Sequence, residues 1–134
     1  MQKTFIDKLA LIEIQNRKIL ETRNRGKDKW YVPGGKREEG ETDQQALIRE
    51  VKEELLVDII PETIEHFGTF EAQAHGKHEG MIVRITCYTA KYNGELTPSA
   101  EVEEMGWFDY SRRNDVAPVD QLLFDDLKSK DLID

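Results

Sequence analysis

The chain has 134 residues, of which 38% are apolar and 34% are charged, and its 27 acidic and 19 basic side chains give a net charge of −8. We expect residues 1–134 to form a single domain, because this length suits one hydrophobic core. The negative charge argues against a nucleic-acid-binding face. No segment approaches the roughly 20 apolar residues of a membrane span. Lys3 and Asp7 interrupt the first apolar stretch, so we expect no signal peptide and a cytoplasmic protein.

The first third of the chain has the pattern of short strands joined by turns. Phe5–Glu13 is rich in Ile and Leu and predicts a strand, Gln15–Arg17 predicts a turn, and Lys18–Thr22 predicts the returning strand of a hairpin. A polar loop follows. Trp30–Val32 then predicts a short strand that Pro33–Gly35 ends, because Pro and Gly interrupt regular pairing.

A helix is predicted from Thr42 to Leu55. Thr42 is followed three residues later by Gln45, which is a capping-box pattern. The apolar residues recur at helical spacing on one face: Leu47, Ile48, Val51 and Leu55.

The remainder of the chain is predicted to be mostly strand, with one terminal helix. The predicted elements are a long hairpin of Thr63–Gln73 and Met81–Tyr92 with residues 75–80 near its tip, a turn at Asn93–Gly94, a short strand over Met105–Phe108, and an amphipathic helix that begins at Pro118. Mixed strands, one central helix and one terminal helix predict an α+β or α/β sandwich.

Three carboxylates cluster on the predicted central helix. At about 100° per residue, Glu50, Glu53 and Glu54 span an arc of about 100° that adjoins the apolar face. Like charges at this spacing repel each other, and a hard cation such as Mg²⁺ or Mn²⁺ would remove the penalty. The alternative is a solvated face in which Arg49 and Lys52 offset the acids.

The glycines before the helix allow close approach of a ligand to the backbone, since glycine has no Cβ. The carbonyl of Gly35 is a candidate metal ligand, and the amide of Gly34 and the side chain of Lys36 are candidate substrate contacts. Trp30 could stack on a base, although core packing is the alternative use. Taken alone, the glycines also fit a plain tight turn.

The stretch from Gly35 to Val57 resembles the signature of the Nudix family. That signature is a Gly, five residues, a Glu, seven residues, Arg-Glu, an aliphatic residue, any residue, Glu-Glu, any residue, Gly and an aliphatic residue. The chain matches it with Gly35, Glu41, Arg49, Glu50, Val51, Glu53, Glu54 and Val57. Six fixed residues match by chance at one given start about once in ten million. The one departure is Leu56 in place of Gly, which either costs about 1–2 kcal/mol in left-handed geometry or shifts the helix end.

This resemblance implies an α/β/α sandwich with a mixed β-sheet, and hydrolysis of a diphosphate linkage by water attack at phosphorus. It implies Mg²⁺, or Mn²⁺, held mainly by Glu50 and Glu54, with Glu53 and the Gly35 carbonyl as further ligands. Glu50 or Glu53 would act as the base. Arg49 would orient a signature glutamate, with Glu41 as its partner. Glu101, six residues before Trp107, resembles the additional carboxylate of MutT-type members, and a solvated acidic loop is the alternative.

The identity of the substrate is less well determined. The length resembles MutT-like members, which favours a nucleoside triphosphate or related nucleotide as the small-molecule partner. A non-catalytic nucleotide-sensing Nudix module is the main alternative, although such modules usually lose signature glutamates. An isomerase-like relative would need a catalytic cysteine, whereas Cys87 lies in an apolar run typical of a buried strand. Monomer and homodimer both stay open.

Overall fold

A computed structural model describes residues 4–74 and 80–134. The strands are β1 (Thr4–Leu11), β2 (Ile14–Gln15), β3 (Lys18–Asn24), β4 (Gly34–Gly35), β5 (Asp58–Ile59), β6 (Glu65–Gln73), β7 (Met81–Thr89), β8 (Tyr92–Asn93) and β9 (Val102–Phe108). The α-helices are α1 (Asp43–Leu55) and α2 (Pro118–Ser129), and short 3-10 helices cover Pro61–Thr63 and Tyr110–Asp115.

The largest sheet has the strand order β4-β1-β7-β6. Strand β1 pairs in parallel with β7 and antiparallel with β4, while β6 and β7 pair antiparallel. A second sheet has the order β2-β3-β9, and β5 pairs with β8. The sheet structure is therefore mixed, as predicted.

Alternation along β1 divides the core into two layers. Leu9 and Leu11 belong to the buried cluster that includes the apolar face of α1, whereas Ala10 belongs to the cluster that includes α2. Successive side chains of a strand point to opposite faces, so one helix covers each face of the sheet. The predicted sandwich, with a central and a C-terminal helix, is confirmed.

The ends of α1 follow from its sequence. The Thr42 side chain accepts a hydrogen bond from the Gln45 amide, and the Gln45 side chain accepts one from the Thr42 amide, so the predicted capping box is present. Leu56 ends the helix with φ 59° and ψ 28°, and its amide donates to the Lys52 carbonyl. The chain thus keeps the left-handed helix end without glycine, which is the first of the two alternatives posed for Leu56.

Two predicted strands differ in their pairing. The returning strand β3 pairs with Ile14–Gln15, and not with β1, because β1 is already flanked by β4 and β7. Trp30–Val32 is not a continuous strand. It forms two isolated bridges, Tyr31 with Thr22 and Trp30 with Val116.

The long hairpin is present as β6 and β7. Residues 75–79 near its predicted tip lie outside the described residues. Within residues 4–74 and 80–134, neither helix has the length and apolar character needed to cross a membrane.

Candidate active site

Helix α1 presents its carboxylates at the border between its buried and exposed faces. Glu50 and Glu54 lie one helical turn apart. The Glu50 side chain is 18% exposed, whereas the Glu53 side chain is 53% exposed. Glu54 is partly buried. The first two therefore form an inner acidic pair, and Glu53 lies beside it in solvent.

Strand β4 brings the glycine loop against this pair. The Gly34 amide donates to Glu54 Oε1 at 2.8 Å. Gly34 has φ +144°, and a Cβ there would lie 1.9 Å from the Leu9 carbonyl oxygen of β1. A Cβ on Gly35 would lie 2.4 Å from the carboxyl carbon of Glu50. Both positions need glycine, one for packing against β1 and the other to leave room for the acid.

Arg49 connects the acidic pair to the loop that precedes the helix. Its Nε and Nη2 donate to the two oxygens of Glu41 at 2.7 and 2.8 Å, and Nη1 donates to Glu50 at 2.9 Å. Nη2 also donates to the Lys36 carbonyl. The hydrogen bonds from Arg49 lower the pKa of Glu41 to about 2. The guanidinium thus fixes the position of the Glu50 carboxylate relative to the loop that precedes the helix.

The inner pair carries an electrostatic penalty. The pKa of Glu54 is raised to about 8, mainly because the side chain is buried. The hydrogen bond from the Gly34 amide lowers this pKa, and the negative charge of Glu50 raises it. Burial likewise raises the pKa of Glu50, although Arg49 opposes the shift. A cation between these two partly desolvated acids would stabilise the charged form of both.

The donor atoms here are the hard oxygens that Mg²⁺ and Mn²⁺ prefer. Within the described part of the chain, no three acidic, histidine or cysteine side chains converge on one point. In this arrangement the Gly34 amide donates a hydrogen bond to Glu54, and Arg49 donates one to Glu50. Two carboxylates nevertheless fit Mg²⁺, because this ion usually takes one or two protein carboxylates and completes its shell with water and substrate phosphate.

A cavity of about 210 Å³ adjoins the Glu54 carboxyl. It lies between the glycine loop and α2, and its polar wall includes Lys8, Tyr31, Glu54 and Asp120. Lys8 is partly buried, and burial lowers its pKa. The cavity can therefore hold a small molecule with one end beside the acidic pair.

The family described as NUDIX domain matches residues 8–127, which include every element from the end of β1 to most of α2. The chain belongs to the Nudix family. The resemblance seen in Gly35–Val57 is thereby confirmed, and the acidic pair of α1 is part of the Nudix signature.

Individual relatives agree with this assignment. The chain is 49% identical over 68 residues to an 8-oxo-dGTP diphosphatase of Proteus vulgaris, and the match covers 51% of the chain and 56% of that relative. The chain thus spans little more than half the length of this curated relative. The solution structure of the E. coli ORF135 protein matches with 25% identity and a TM-score of 0.73, covering 95% of the chain and 91% of that protein. The MutT protein of Methanosarcina mazei Go1 shares the fold at 16% identity, with a TM-score of 0.76 and 98% of each chain covered.

Three other residues of this Nudix chain were predicted to belong to the site, and each has different contacts in the structure. Glu101 is exposed in the loop before β9, and its charge contributes to the raised pKa of Glu54. Lys36 is exposed, and its carbonyl accepts from Arg49. Trp30 packs against Phe108 with ring centroids 4.9 Å apart and is not among the residues that line the cavity, so core packing is the use that the structure shows.

Three charged residues near the cavity, two of them acids with no exposed surface, were not predicted from the sequence as part of this Nudix site. They are Lys8, Glu21 and Asp120. The sequence feature that could have pointed to the two acids is their place beside apolar residues. Glu21 follows Ile19 and Leu20, and Asp120 precedes the apolar run of α2. Period-two alternation places Glu21 on the same face of β3 as Ile19, which packs in the α2 layer.

Proposed function

We propose that this Nudix chain is a Mg²⁺- or Mn²⁺-dependent hydrolase that cleaves a diphosphate linkage in a nucleotide. The observation that carries the proposal is the pair Glu50 and Glu54, both partly buried on one face of α1, with Glu54 on the wall of the cavity. Arg49 donates to Glu50, and the Gly34 amide donates to Glu54. An enzyme that handles phosphate with a net charge of −8 needs local neutralisation of this kind.

Each residue of the pair has a role in holding the ion. Glu50 and Glu54 would be its principal protein ligands, with Glu53 and the Gly35 carbonyl as further ligands. Glu101 is proposed as an additional ligand or water activator from the opposite loop. A divalent cation bound here neutralises phosphate charge and lowers the pKa of a bound water.

The reaction is a substitution at phosphorus. The oxygen of a water molecule forms a bond to one phosphorus, the bridging P–O bond breaks, and the leaving phosphate keeps the electron pair. Glu50 or Glu53 takes the proton from the water. Arg49 and Glu41 keep the Glu50 carboxylate aimed at the substrate, and Arg49 itself does not touch the substrate.

For the substrate we propose a nucleoside triphosphate. The name of the Proteus vulgaris relative supports a nucleotide of this kind. The cavity of about 210 Å³ is of a size for a base or sugar, while Lys8 on its wall and Lys36 on the adjoining loop offer positive charge to phosphates. The amide of Gly34 is proposed as a further substrate contact, whereas Trp30 packs against Phe108 in the core.

The test is hydrolysis by purified protein of a panel of nucleotides and other diphosphates, with and without Mg²⁺, read as phosphate after added pyrophosphatase. Glu50→Gln and Glu54→Gln should each lower kcat at least ~10²-fold, the scale expected when a base or its metal is lost. Glu62→Gln, on the exposed 3-10 helix, is the matched control and should keep full activity. Full activity in a folded Glu54→Gln variant would refute the proposal.

The same panel separates the alternatives. A nucleotide-sensing module would bind nucleotides without releasing phosphate, but retention of all three helix glutamates favours catalysis. The isomerase alternative needs a reactive cysteine. Cys87 is fully buried in β7, and burial raises the pKa of its thiol, so it is a poor nucleophile.

A further inference from the structure

The loop between β8 and β9 carries Glu101, and it is attached to the end of α1. The Thr97 amide donates to the Leu55 carbonyl at 2.9 Å, and the Ser99 amide donates to the Glu54 carbonyl at 2.8 Å. Both carbonyls belong to the last turn of the helix, where they have no partner within the helix itself. The loop therefore caps α1 at the residue whose side chain belongs to the acidic pair.

The turn that leads the chain to Glu101 has an unfavourable backbone conformation. Ala100 has φ 54°, in the left-handed region that favours glycine because a Cβ crowds the backbone there. The Val102 amide closes the turn by donating to the Ser99 carbonyl at 3.0 Å. Such a conformation persists only where the surrounding structure holds it. The turn therefore depends on contacts from outside it.

Arg25, in the turn after β3, supplies two such contacts. Its Nη2 donates to the Ala100 carbonyl, and its backbone amide donates to the Glu101 carbonyl at 3.0 Å. The second of these bonds continues the pairing of β3 with β9 beyond its last pair, Asn24 with Val102. Arg25 and Ala100 are 75 residues apart in sequence, so one side chain ties the distant loop to β3.

Glu101 differs from the other two acids of this segment in its surroundings. Arg23 pairs with Glu103 at 3.2 Å and with Glu104 at 2.8 Å. The charge of Glu101 instead acts on the acidic pair, where it is one of the causes that raise the pKa of Glu54. Glu101 is exposed, and ordering an exposed chain segment around an ion costs conformational entropy. Contacts that fix its backbone in advance lower that cost.

We propose that Arg25 is a positioning residue of the cation site: by holding the carbonyls of Ala100 and Glu101, it keeps the Glu101 carboxylate within reach of a divalent ion bound at Glu54. The proposal rests on the proposed function, in which Glu101 is an additional ligand, and it deepens that function by naming the residue that places this carboxylate. Arg25 itself touches neither the ion nor the nucleotide. Loss of its guanidinium would leave the carboxylate present and let its backbone move.

The test measures binding of Mn²⁺ alone, without nucleotide, from the electron paramagnetic resonance signal of the free ion. Groups that orient metal ligands contribute about 10–100-fold to metal affinity, so Arg25→Ala should weaken Mn²⁺ binding about tenfold. Removal of a positive charge by itself favours cation binding, so a weakening identifies the lost hydrogen bond. Wild-type Mn²⁺ affinity in Arg25→Ala would overturn the proposal.

The matched control is Arg112→Ala. Arg112 is also exposed, and its contacts are with Asp115 and the Phe108 ring, so its removal takes away the same charge without touching the loop. Its Mn²⁺ affinity should equal that of the wild type or exceed it slightly. A tenfold weakening in Arg112→Ala as well would refute the assignment of the effect to the Arg25 contact.

A double variant shows whether the Arg25 guanidinium acts through Glu101. Glu101→Gln should weaken Mn²⁺ binding by at least about tenfold, and adding Arg25→Ala should weaken it no further, because residues that act through one contact are not additive. Losses that multiply in the double variant would refute the positioning role. Wild-type affinity in Glu101→Gln would also refute it, even if Arg25→Ala fails to fold.

The dependence of hydrolysis on Mg²⁺ separates this proposal from the proposed function. Arg25→Ala should need about tenfold more Mg²⁺ for half-maximal hydrolysis and recover most of the wild-type kcat at saturating Mg²⁺, because the acidic pair is unchanged. A kcat that stays low at saturating Mg²⁺ would contradict a role in placing a metal ligand. If the wild type hydrolyses no nucleotide but the Mn²⁺ results hold, the catalytic proposal fails and the positioning role stands.

Discussion

Replacement of Gly35 by Ala tests the contact between the glycine loop and the acidic pair. The added Cβ would lie 2.4 Å from the carboxyl carbon of Glu50, and 2.5 and 2.7 Å from its oxygens. Non-bonded carbons pack at about 3.5–4.0 Å, so the carboxyl must move by about 1 Å or more. That movement would also break the 2.9 Å hydrogen bond from Arg49.

The expected result is a loss of activity larger than the loss of stability. A misplacement of about 1 Å in a catalytic group can cost about 10²-fold in rate, so kcat should fall on that scale. The neighbour that must yield is the end of a side chain, for which an off-rotamer position costs about 0.5–1.5 kcal/mol. Thermal unfolding should therefore change only modestly.

Two other glycines provide the controls. At Gly34 the obstacle is the Leu9 carbonyl of β1 at 1.9 Å, so Gly34→Ala should lose about 3 kcal/mol or more and unfold at much lower temperature. At Gly68 a Cβ would meet only the Phe70 ring at 3.5 Å, so Gly68→Ala should keep both activity and stability. The measurements are kcat with Mg²⁺ and denaturation monitored by circular dichroism. Wild-type kcat in Gly35→Ala, with unchanged unfolding, would refute the reasoning.

Three further predictions concern stability. Leu56→Gly should raise Tm by roughly 3 °C in calorimetry, since a left-handed Leu costs about 1–2 kcal/mol and its side chain is 46% exposed; an unchanged or lower Tm would contradict this. Thr42→Ala should remove the cap on Gln45 and lower the free energy of unfolding by about 1 kcal/mol in urea titration, and Thr42→Ser should restore it. Burial raises the pKa of Glu21 above its ordinary 4.5, so the folded chain keeps a proton that the unfolded chain releases. The contribution of this proton to the free energy of unfolding is complete below pH 4.5 and is lost as the pH rises through the folded pKa. Urea unfolding between about pH 5 and pH 9 should show this decline in the wild type and a flatter profile in Glu21→Gln, and parallel profiles would contradict it.

Local sequence determined the parts of the site that a single helix and its flanks can encode. Thr42 and Gln45 begin α1 through bonds three residues apart, and the spacing of Glu50 and Glu54 places both on one face whatever surrounds them. The resemblance to the Nudix signature, which also lies within one segment, led to the expected contact of Arg49 with Glu41. These contacts were predictable because their partners lie within a few turns of each other.

Strand pairing was decided only by the tertiary structure. The hairpin rule favours pairing of neighbouring segments, but β1 lies between β4 and β7 and leaves β3 to pair with β2 and β9. Trp30 could equally have stacked on a ligand, and only its place against Phe108 shows that it packs in the core. Alternating apolar residues indicate which side of a strand is buried, but they do not indicate which strand lies beside it.

The cavity is formed by residues that are far apart in the sequence. Lys8, Glu21 and Asp120 come from three separate elements, and the folding of α2 over the sheet is what removes the two acids from water. A charged residue in an apolar run signals an unusual environment, but its partner and its protonation depend on burial and on the charges that surround it. The sequence alone thus determined the acidic face of α1 and the chemistry it implies, whereas the tertiary structure decided what lies beside that face, because desolvation exists only in the folded chain.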